Sequence, residues 1–257
     1  MRGILVALQF LTVIKLSKNL DMAEESLGRS MSWFPAVGLF IGLILVSTRW
    51  LLGFILPSSV VDILVIAVLA VMTGALHLDG FADAIDGLAG RADRGKTLAI
   101  MRDSRIGAFA VVGIAILLLL KTNTLSSIPL AMKDKALLLM PVLGRWATVP
   151  LAALFPYARS GPGTALAFTR FAGIRELSVA SVIALSVAVG LLQFKGLLIF
   201  MAVMGISLLF GLFFKARIGG VTGDIMGAAC EVCEVVVLLV MSGGYMHPLL
   251  FVPCPGC

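Results

Sequence analysis

Three aspartates follow one another at helical spacing in the segment from Gly74 to Gly107. Asp79, Asp83 and Asp86 stand at positions i, i+4 and i+7, so in a helix all three project from one face. Carboxylates held this close repel one another unless a cation lies between them. Because oxygen ligands favour a hard ion, the spacing predicts a site for Mg²⁺, with Mn²⁺ as the alternative.

Basic side chains surround these aspartates in the sequence: Arg91, Arg94, Lys96, Arg102 and Arg105. The arginine fork matches the paired oxygens of a phosphate, so we predict that Arg91, Arg102 and Arg105 bind substrate phosphate. Asp103 lies among them and is predicted both to complete the metal site and to act in catalysis. The alternative is that these acids and bases only pair with one another at a membrane surface.

A second acidic stretch lies near the end of the chain, in ARIGGVTGDIMGAACEVCEVVV. Gly220 and Gly223 lie in a low-bulk turn where backbone N–H groups can approach a phosphate, and we predict substrate binding there. Asp224 and Glu231 are seven residues apart and share a helix face, so both are candidates for a catalytic base. Asp224 is also suited, with Thr222, to cap the helix.

Two polar residues in apolar surroundings and two residues of a polar loop give four further candidates. His77 precedes Asp79 by two residues and is predicted to contact substrate, unless it only packs between helices. Arg145 falls inside an apolar run, where the cost of burying a guanidinium predicts a carboxylate partner or a bound substrate. Tyr157 and Arg159, in the turn-rich PYARSGPG segment, either contact substrate or form an ordinary interface pair.

Composition indicates a polytopic, all-α membrane bundle that forms one catalytic domain over residues 1–257. Of the 257 residues 60% are hydrophobic and 13% charged, and the mean hydropathy is +1.09, which is too apolar for a soluble domain. The segment Ile4 to Ile14 is predicted to lie along the interface. Seven spans of sufficient length are predicted: Trp33 to Leu56, Val60 to Leu78, Ile106 to about Leu125, Ala136 to Phe155, Leu177 to Leu192, Leu197 to Phe214, and Ala229 to about Leu250.

The distribution of basic residues orients these spans. With a cytoplasmic N-terminus, most basic residues fall in inner segments, as the positive-inside rule requires. The outer segments are then left with Arg49, Lys121, Lys133, Lys135 and Lys195. We therefore predict an inner-membrane protein with its active site on the cytoplasmic side. The net charge of +6 suits anionic lipid or an anionic substrate, nothing indicates a nucleic-acid module, and a homo-oligomer is left open.

Two CxxC pairs near the end of the chain do not predict a zinc site. In a continuous last helix, Cys230 and Cys254 lie about 36 Å apart, which places the pairs on opposite membrane faces. We therefore predict that Cys230 and Cys233 pack as small apolar residues. Cys254 and Cys257 are left as a possible disulfide or an incidental end.

Several of these motifs together resemble the cobalamin (5′-phosphate) synthase family, also called the adenosylcobinamide-GDP ribazoletransferases. The resemblance is carried by TGALHLDGFADAIDGLAG, IMRDSRIGAFAVV, PVLGRWATV, PYAR and IGGVTGD, and it runs in order from WFPAVG to the last span. It implies a polytopic inner-membrane enzyme that joins GDP-cobinamide to α-ribazole or α-ribazole 5′-phosphate, releases GMP and uses Mg²⁺.

A fainter resemblance is to the CDP-alcohol phosphotransferases of phospholipid synthesis. Asp83, Asp86, Gly87 and Arg91 fit the signature of that family, and Asp103 falls at its third aspartate. Its fourth aspartate is replaced by glycine, at position 107, so either a base comes from position 79, 224 or 231 or the reaction needs no base. A membrane transporter is a third alternative, but transporters carry charges near the midplane, whereas the charges here cluster at the ends of predicted spans.

Overall fold

The computed structural model describes residues 2–16, 20, 22–90, 93–161 and 163–243, and within these ranges it contains helices and no strand. The helices are α1 (Arg2–Leu11), α2 (Glu24–Ser30), α3 (Phe34–Gly53), α4 (Ser58–Met72), α5 (Leu76–Ala89), α6 (Arg94–Ile100), α7 (Ala108–Ser127), α8 (Leu130–Leu154), α9 (Thr164–Phe171), α10 (Ile174–Leu192), α11 (Phe194–Ile218) and α12 (Gly223–Gly243). A 3₁₀ turn, Met31–Trp33, joins α2 to α3. The predicted all-α bundle is confirmed.

Six stretches of the described chain are long and apolar enough to cross a membrane. They are Glu24–Gly53, which includes α3, and the helices α7, α8, α10, α11 and α12. Each corresponds to a predicted span, and α12 begins six residues earlier than expected, at Gly223. The far end of the predicted last span, like the tail cysteines, lies outside the described residues. The single-domain prediction and the interfacial position of α1 stay predictions.

The predicted second span, Val60 to Leu78, is wrong as one continuous helix. α4 ends at Met72, and α5 leaves the break at an angle of 88° to it. Gly74 (φ +57°) and Ala75 (φ +55°) adopt the left-handed conformation there, which ends the regular helix. Gly74 is a helix-ending residue, but the apolar run continues on both sides of it, so the sequence predicts one span. The chain instead turns there and presents the aspartates on a separate helix.

α8 forms the centre of the bundle, because almost all of its residues from Ala136 to Ala152 are buried. α3 packs along it, with Gly38 against the Pro141 carbonyl and Gly42 against the Leu137 carbonyl. α10, α11 and α12 also contact α8. This arrangement places the first turn of α12 beside the first turns of α5, where the candidate site lies.

Two lysines assigned to outer segments are instead buried between helices. Lys121 is 2% exposed, and its charge is neutralised by glutamates of α12. Lys133 is 4% exposed, and its Nζ lies 2.5 Å from Oδ2 of Asp62. Neither lysine is a loop charge, so neither counts toward an outer segment, and the orientation of the spans stays a prediction.

Candidate active site

Helix α5 carries the predicted acidic face, and its first turns pack against the first turns of α12. A Cβ at Gly80 would lie only 3.0 Å from Cα and O of Asp224, so a side chain at position 80 would push the helices apart. Gly227 similarly lies against the backbone of His77. Glycines on both helices therefore allow the close approach that brings Asp79 and Asp224 to one cavity.

This cavity, which we call the acidic cavity, has a volume of about 220 Å³. Its polar lining comes from α5, α8, α9, α12 and the loop after α8, and consists of His77, Asp79, Thr148, Tyr157, Arg159, Thr164 and Asp224. Its apolar wall comes from α1, α3, α9 and the 3₁₀ turn, and includes Phe10, Leu11, Met31, Phe34 and Phe168. The two acidic stretches of the sequence therefore meet here, through one aspartate of each.

Arg159 is the basic residue of the acidic cavity. Its Nη2 donates to Oδ2 of Asp224 at 2.5 Å and to the carbonyl of Met101 at 3.2 Å. Its Nε is buried and has no hydrogen-bond partner. Because a buried N–H without an acceptor is costly, this edge of the guanidinium is suited to bind a ligand oxygen. The sequence predicts that Arg159 either contacts substrate or forms an ordinary interface pair. It does not predict the pairing of Arg159 with Asp224.

A short backbone bridge positions Arg159. Val221 N–H donates to the Pro156 carbonyl at 2.8 Å, and Ala158 N–H donates to the Val221 carbonyl at 2.9 Å. Gly220 makes this contact possible, since a Cβ there would lie 2.1 Å from the Pro156 oxygen. Gly220 is thus required by chain packing, whatever its part in phosphate binding. Gly223 lines the acidic cavity, as the sequence predicts for a substrate-binding residue.

Burial and mutual repulsion dominate the electrostatics of the aspartates on α5. The pKa of Asp83 is raised to about 6, chiefly by burial and then by the negative charges of Asp224, Asp79 and Asp86, while Arg159 opposes them. These groups therefore lie close enough to interact strongly. A bound cation would relieve the repulsion, so the donor set suits a divalent metal.

The four aspartates predicted as metal ligands are not gathered into one cluster. Asp86 accepts hydrogen bonds from Gly107 N–H at 2.6 Å and Ala110 N–H at 2.9 Å, and so caps α7. Asp103 accepts from Nη2 of Arg105 at 2.6 Å, and this hydrogen bond lowers its pKa to about 2. Arg105 is 87% exposed and Asp103 36% exposed in this pair. The predicted roles of Asp103 and Arg105 therefore gain no support from their contacts.

Within the described part of the chain, no three acidic, histidine or cysteine side chains form a ready metal cage. Mg²⁺, however, usually binds through one or two carboxylates and completes its shell with water and substrate phosphate. Asp79 and Asp224 on the cavity wall, with Asp83 one turn from Asp79, are suited to such an open site. The oxygen ligands of Asp79, Asp83 and Asp224 therefore fit Mg²⁺, whereas two of the four aspartates predicted as ligands have other partners.

Glu231, predicted as a base, lies instead in a buried ion-pair network away from the lining of the acidic cavity. Arg145, predicted to pair with a carboxylate or to bind substrate, belongs to the same network and has a carboxylate partner. Nζ of Lys121 lies 2.5 Å from Oε2 of Glu231 and also pairs with Glu234. Glu234 pairs in addition with Arg145, and all four side chains are at most 6% exposed. Two acids balance two bases, which explains the glutamates within an apolar run.

Replacing Glu234 with glutamine should destabilise the bundle, because it leaves two buried cations to share one glutamate. Breaking a buried ion pair costs about 3–5 kcal/mol, so we expect a clear fall in Tm of the detergent-solubilised protein. Glu24→Gln serves as the control, since Glu24 is exposed and forms only a 3.9 Å contact with Arg170. An unchanged Tm for Glu234→Gln would contradict the network.

The remaining predicted residues have separate placements. His77 is 5% exposed, lines the acidic cavity and has a buried Nδ1 without a partner. Arg102 lies in an adjoining groove of about 420 Å³ that also contains Arg159 and Ser160. Arg91 lies outside the described residues. Cys230 and Cys233 are buried free thiols, as predicted.

The fold and the site together define the chain as a polytopic all-α membrane protein with a cavity in which carboxylates meet an arginine at helix ends. The family model described as cobalamin-5-phosphate synthase matches residues 3–242, and the chain belongs to this family. This confirms the family resemblance and does not favour the CDP-alcohol phosphotransferases.

Two curated relatives illustrate the similarity. The adenosylcobinamide-GDP ribazoletransferase of Acetivibrio thermocellus is 41% identical over 239 residues, which cover 93% of this chain and 96% of the relative. The protein of the same name from Geotalea daltonii is 41% identical over 241 residues, covering 93% and 97% respectively. No solved structure shows significant similarity to the chain.

Proposed function

We propose that the protein is an adenosylcobinamide-GDP ribazoletransferase, which joins GDP-activated cobinamide to α-ribazole or its 5′-phosphate in the last steps of cobalamin biosynthesis. Family membership and the names of the relatives support the reaction. The observation that carries the assignment of the site is the meeting of Asp79, Asp224 and Arg159 in one cavity. The substrates are small molecules, and the protein acts as a multi-pass component of the lipid bilayer.

The reaction displaces GMP from the phosphorus that carries the corrinoid arm. A ribose hydroxyl of α-ribazole attacks this phosphorus, the bond to the GMP oxygen breaks, and GMP leaves with the bonding electrons. Asp224 is the carboxylate best placed to receive the hydroxyl proton, because it lines the acidic cavity beside Arg159. His77, with its free Nδ1, is suited to accept a hydrogen bond from a substrate hydroxyl.

Arginines supply the phosphate contacts in this proposal. Arg159 lies between the acidic cavity and the groove that contains Arg102. A diphosphate can therefore extend from one space into the other while both guanidinium groups contact its oxygens. Arg159 would hold the phosphate that reacts, and Arg102 the phosphate that leaves with guanosine.

Asp79, Asp83 and Asp224 would hold Mg²⁺ or Mn²⁺. The ion would neutralise charge on the diphosphate as GMP departs. Of the other aspartates that the sequence predicts as ligands, Asp86 already caps α7 and Asp103 already pairs with Arg105.

We further propose that the site opens on the cytoplasmic side of the inner membrane, because the positive-inside rule predicts that the basic segments of the chain lie there. Whether the protein also forms a homo-oligomer can be measured on the purified protein.

The direct test supplies purified protein with GDP-cobinamide, α-ribazole and Mg²⁺. We expect equal amounts of GMP and the joined product. A parallel reaction with CDP-diacylglycerol and an alcohol should release no CMP. CMP release without GMP formation would overturn the proposed reaction in favour of phospholipid synthesis, and solute flux in proteoliposomes without a nucleotide product would favour a transporter.

Removal of divalent metal should abolish turnover. We expect EDTA to stop GMP release and either Mg²⁺ or Mn²⁺ to restore it. Asp83→Asn should raise the Mg²⁺ concentration for half-maximal activity at least tenfold, since a neutral amide replaces a charged ligand. Electron paramagnetic resonance of Mn²⁺ measures the same weakening without turnover. Full activity in EDTA would remove the metal from the mechanism.

A further inference from the structure

Three arginines from distant parts of the sequence line a second cavity, separate from the acidic cavity. Arg2 at the start of α1, Arg29 in α2 and Arg175 in α10 surround a space of about 410 Å³. Ser26, Ser32, Trp33 and Glu176 complete its polar lining. We call this space the arginine pocket.

Among the described residues, the positive charge of the arginine pocket is only partly balanced by acidic side chains. Arg2 and Arg175 have no acidic partner among the described residues. Arg29 pairs with Glu25 at 2.7 Å, but both side chains are more than half exposed, so this pair is weak. The nearby carboxylate of Glu176 is buried and accepts the Gly173 N–H at 3.0 Å, at the start of α10.

Chain packing fixes the convergence of these arginines. A Cβ at Gly3 would lie 3.0 Å from the indole of Trp33, so α1 lies directly on the tryptophan that begins the first span. The three arginines are exposed, so solvent weakens the repulsion among them, and an anion in the pocket removes what remains. Arginine forks and serine hydroxyl groups are the groups that bind phosphate oxygens.

The arginine pocket lies on the same side of the bundle as the acidic cavity. In α1, Val6 lines the arginine pocket and Phe10 lines the acidic cavity. Because four residues of a helix span about 6 Å, the two spaces lie close together along α1. Trp33 is 36% exposed, as expected for an aromatic residue at a membrane interface. The pocket is thus placed where lipid headgroups and phosphorylated small molecules are both within reach.

We propose that the arginine pocket binds a phosphate group, carried either by an anionic phospholipid headgroup or by a free phosphorylated molecule. The guanidinium groups of Arg2 and Arg175 hold its oxygens, and Arg29 exchanges Glu25 for it. Because the pocket is distinct from the acidic cavity, occupancy joins α1 and α2 to the first turn of α10 through the bound phosphate and takes no part in the transfer reaction.

The test measures thermal unfolding of the delipidated, full-length protein in a neutral detergent. One arm adds sodium phosphate, with sodium chloride at equal ionic strength as its control. The other arm adds short-chain phosphatidylglycerol, with phosphatidylcholine as its control. A ligand at ten times its Kd should raise Tm by about 3 °C. The variant Arg2→Gln/Arg175→Gln should lose this rise, while Lys15→Gln/Lys215→Gln, which removes the same charge elsewhere, should keep it.

The outcomes separate the two sources and decide the proposal. A shift with phosphatidylglycerol alone assigns the pocket to a lipid headgroup, and a shift with inorganic phosphate alone assigns it to a free molecule. No shift in the unmodified protein, or an equal shift in the double variant, overturns the proposal. If the double variant does not fold, Arg175→Gln alone replaces it. No turnover is measured, so the result is independent of the proposed reaction.

Discussion

Replacing Asp224 with asparagine should reduce the rate of GMP release by at least about 10³-fold while the protein remains folded in the membrane. Asp224 contacts Arg159 in the acidic cavity, and in the proposed reaction it receives the hydroxyl proton and holds the metal. Loss of a general base alone typically costs about 10²–10⁴-fold. GMP release under saturating substrates measures the effect.

Asp93→Asn is the matched control for this substitution. Asp93 is exposed and caps α6 by accepting the Lys96 N–H at 2.9 Å, and asparagine caps a helix equally well. This variant should therefore retain turnover within about threefold. Near-normal turnover in Asp224→Asn, with unchanged Tm and unchanged Mn²⁺ binding, would exclude Asp224 from the site and leave Asp79 as the candidate base.

The acidic face of α5 could be predicted because its cause is local. A spacing of four and three residues places side chains on one face of any helix, and the aspartates of LHLDGFADAIDG stand out in an apolar chain. This prediction depends on residue type and spacing alone.

The partners of the buried charges could not be predicted in the same way. Glu231 pairs with Lys121, which is 110 residues away in sequence, and only the packing of α7 against α12 brings them together. The capping of α7 by Asp86 has the same origin. The sequence shows that a charge in an apolar run needs a partner of opposite charge. It does not show which partner, because several acidic and basic residues are equally good candidates.

The break between α4 and α5 escaped prediction for a different reason. Ala75 adopts a left-handed conformation that alanine disfavours, so the residue itself gives no turn signal. The conformation is held by the tertiary structure, in which Val13 N–H donates to the Met72 carbonyl at 2.8 Å. The break nevertheless decides where the aspartates lie, because α5 leaves it at 88° to α4.

Replacing Arg159 with glutamine should lower kcat/KM by about 10²–10³-fold, the second large effect that the site predicts. The guanidinium neutralises Asp224 and offers its unpaired Nε to a phosphate oxygen. Charge-assisted hydrogen bonds to phosphate are about twice as strong as neutral ones, and 2.7–4 kcal/mol of lost transition-state stabilisation corresponds to about this factor. Arg159→Lys should recover only part of the loss, because lysine keeps the charge without the fork.

Arg170→Gln is the control for charge, since Arg170 is exposed and lies outside the acidic cavity. A double-mutant cycle with Asp224→Asn separates substrate binding from the ion pair. If Arg159 serves only to neutralise Asp224, the double variant Arg159→Gln/Asp224→Asn should be no less active than Asp224→Asn alone. The KM for GDP-cobinamide should then be unchanged in Arg159→Gln and in the double variant. If Arg159 binds the diphosphate, KM should rise in every variant that lacks it. An unchanged KM in Arg159→Gln would therefore assign the arginine to the ion pair and leave phosphate binding to Arg102.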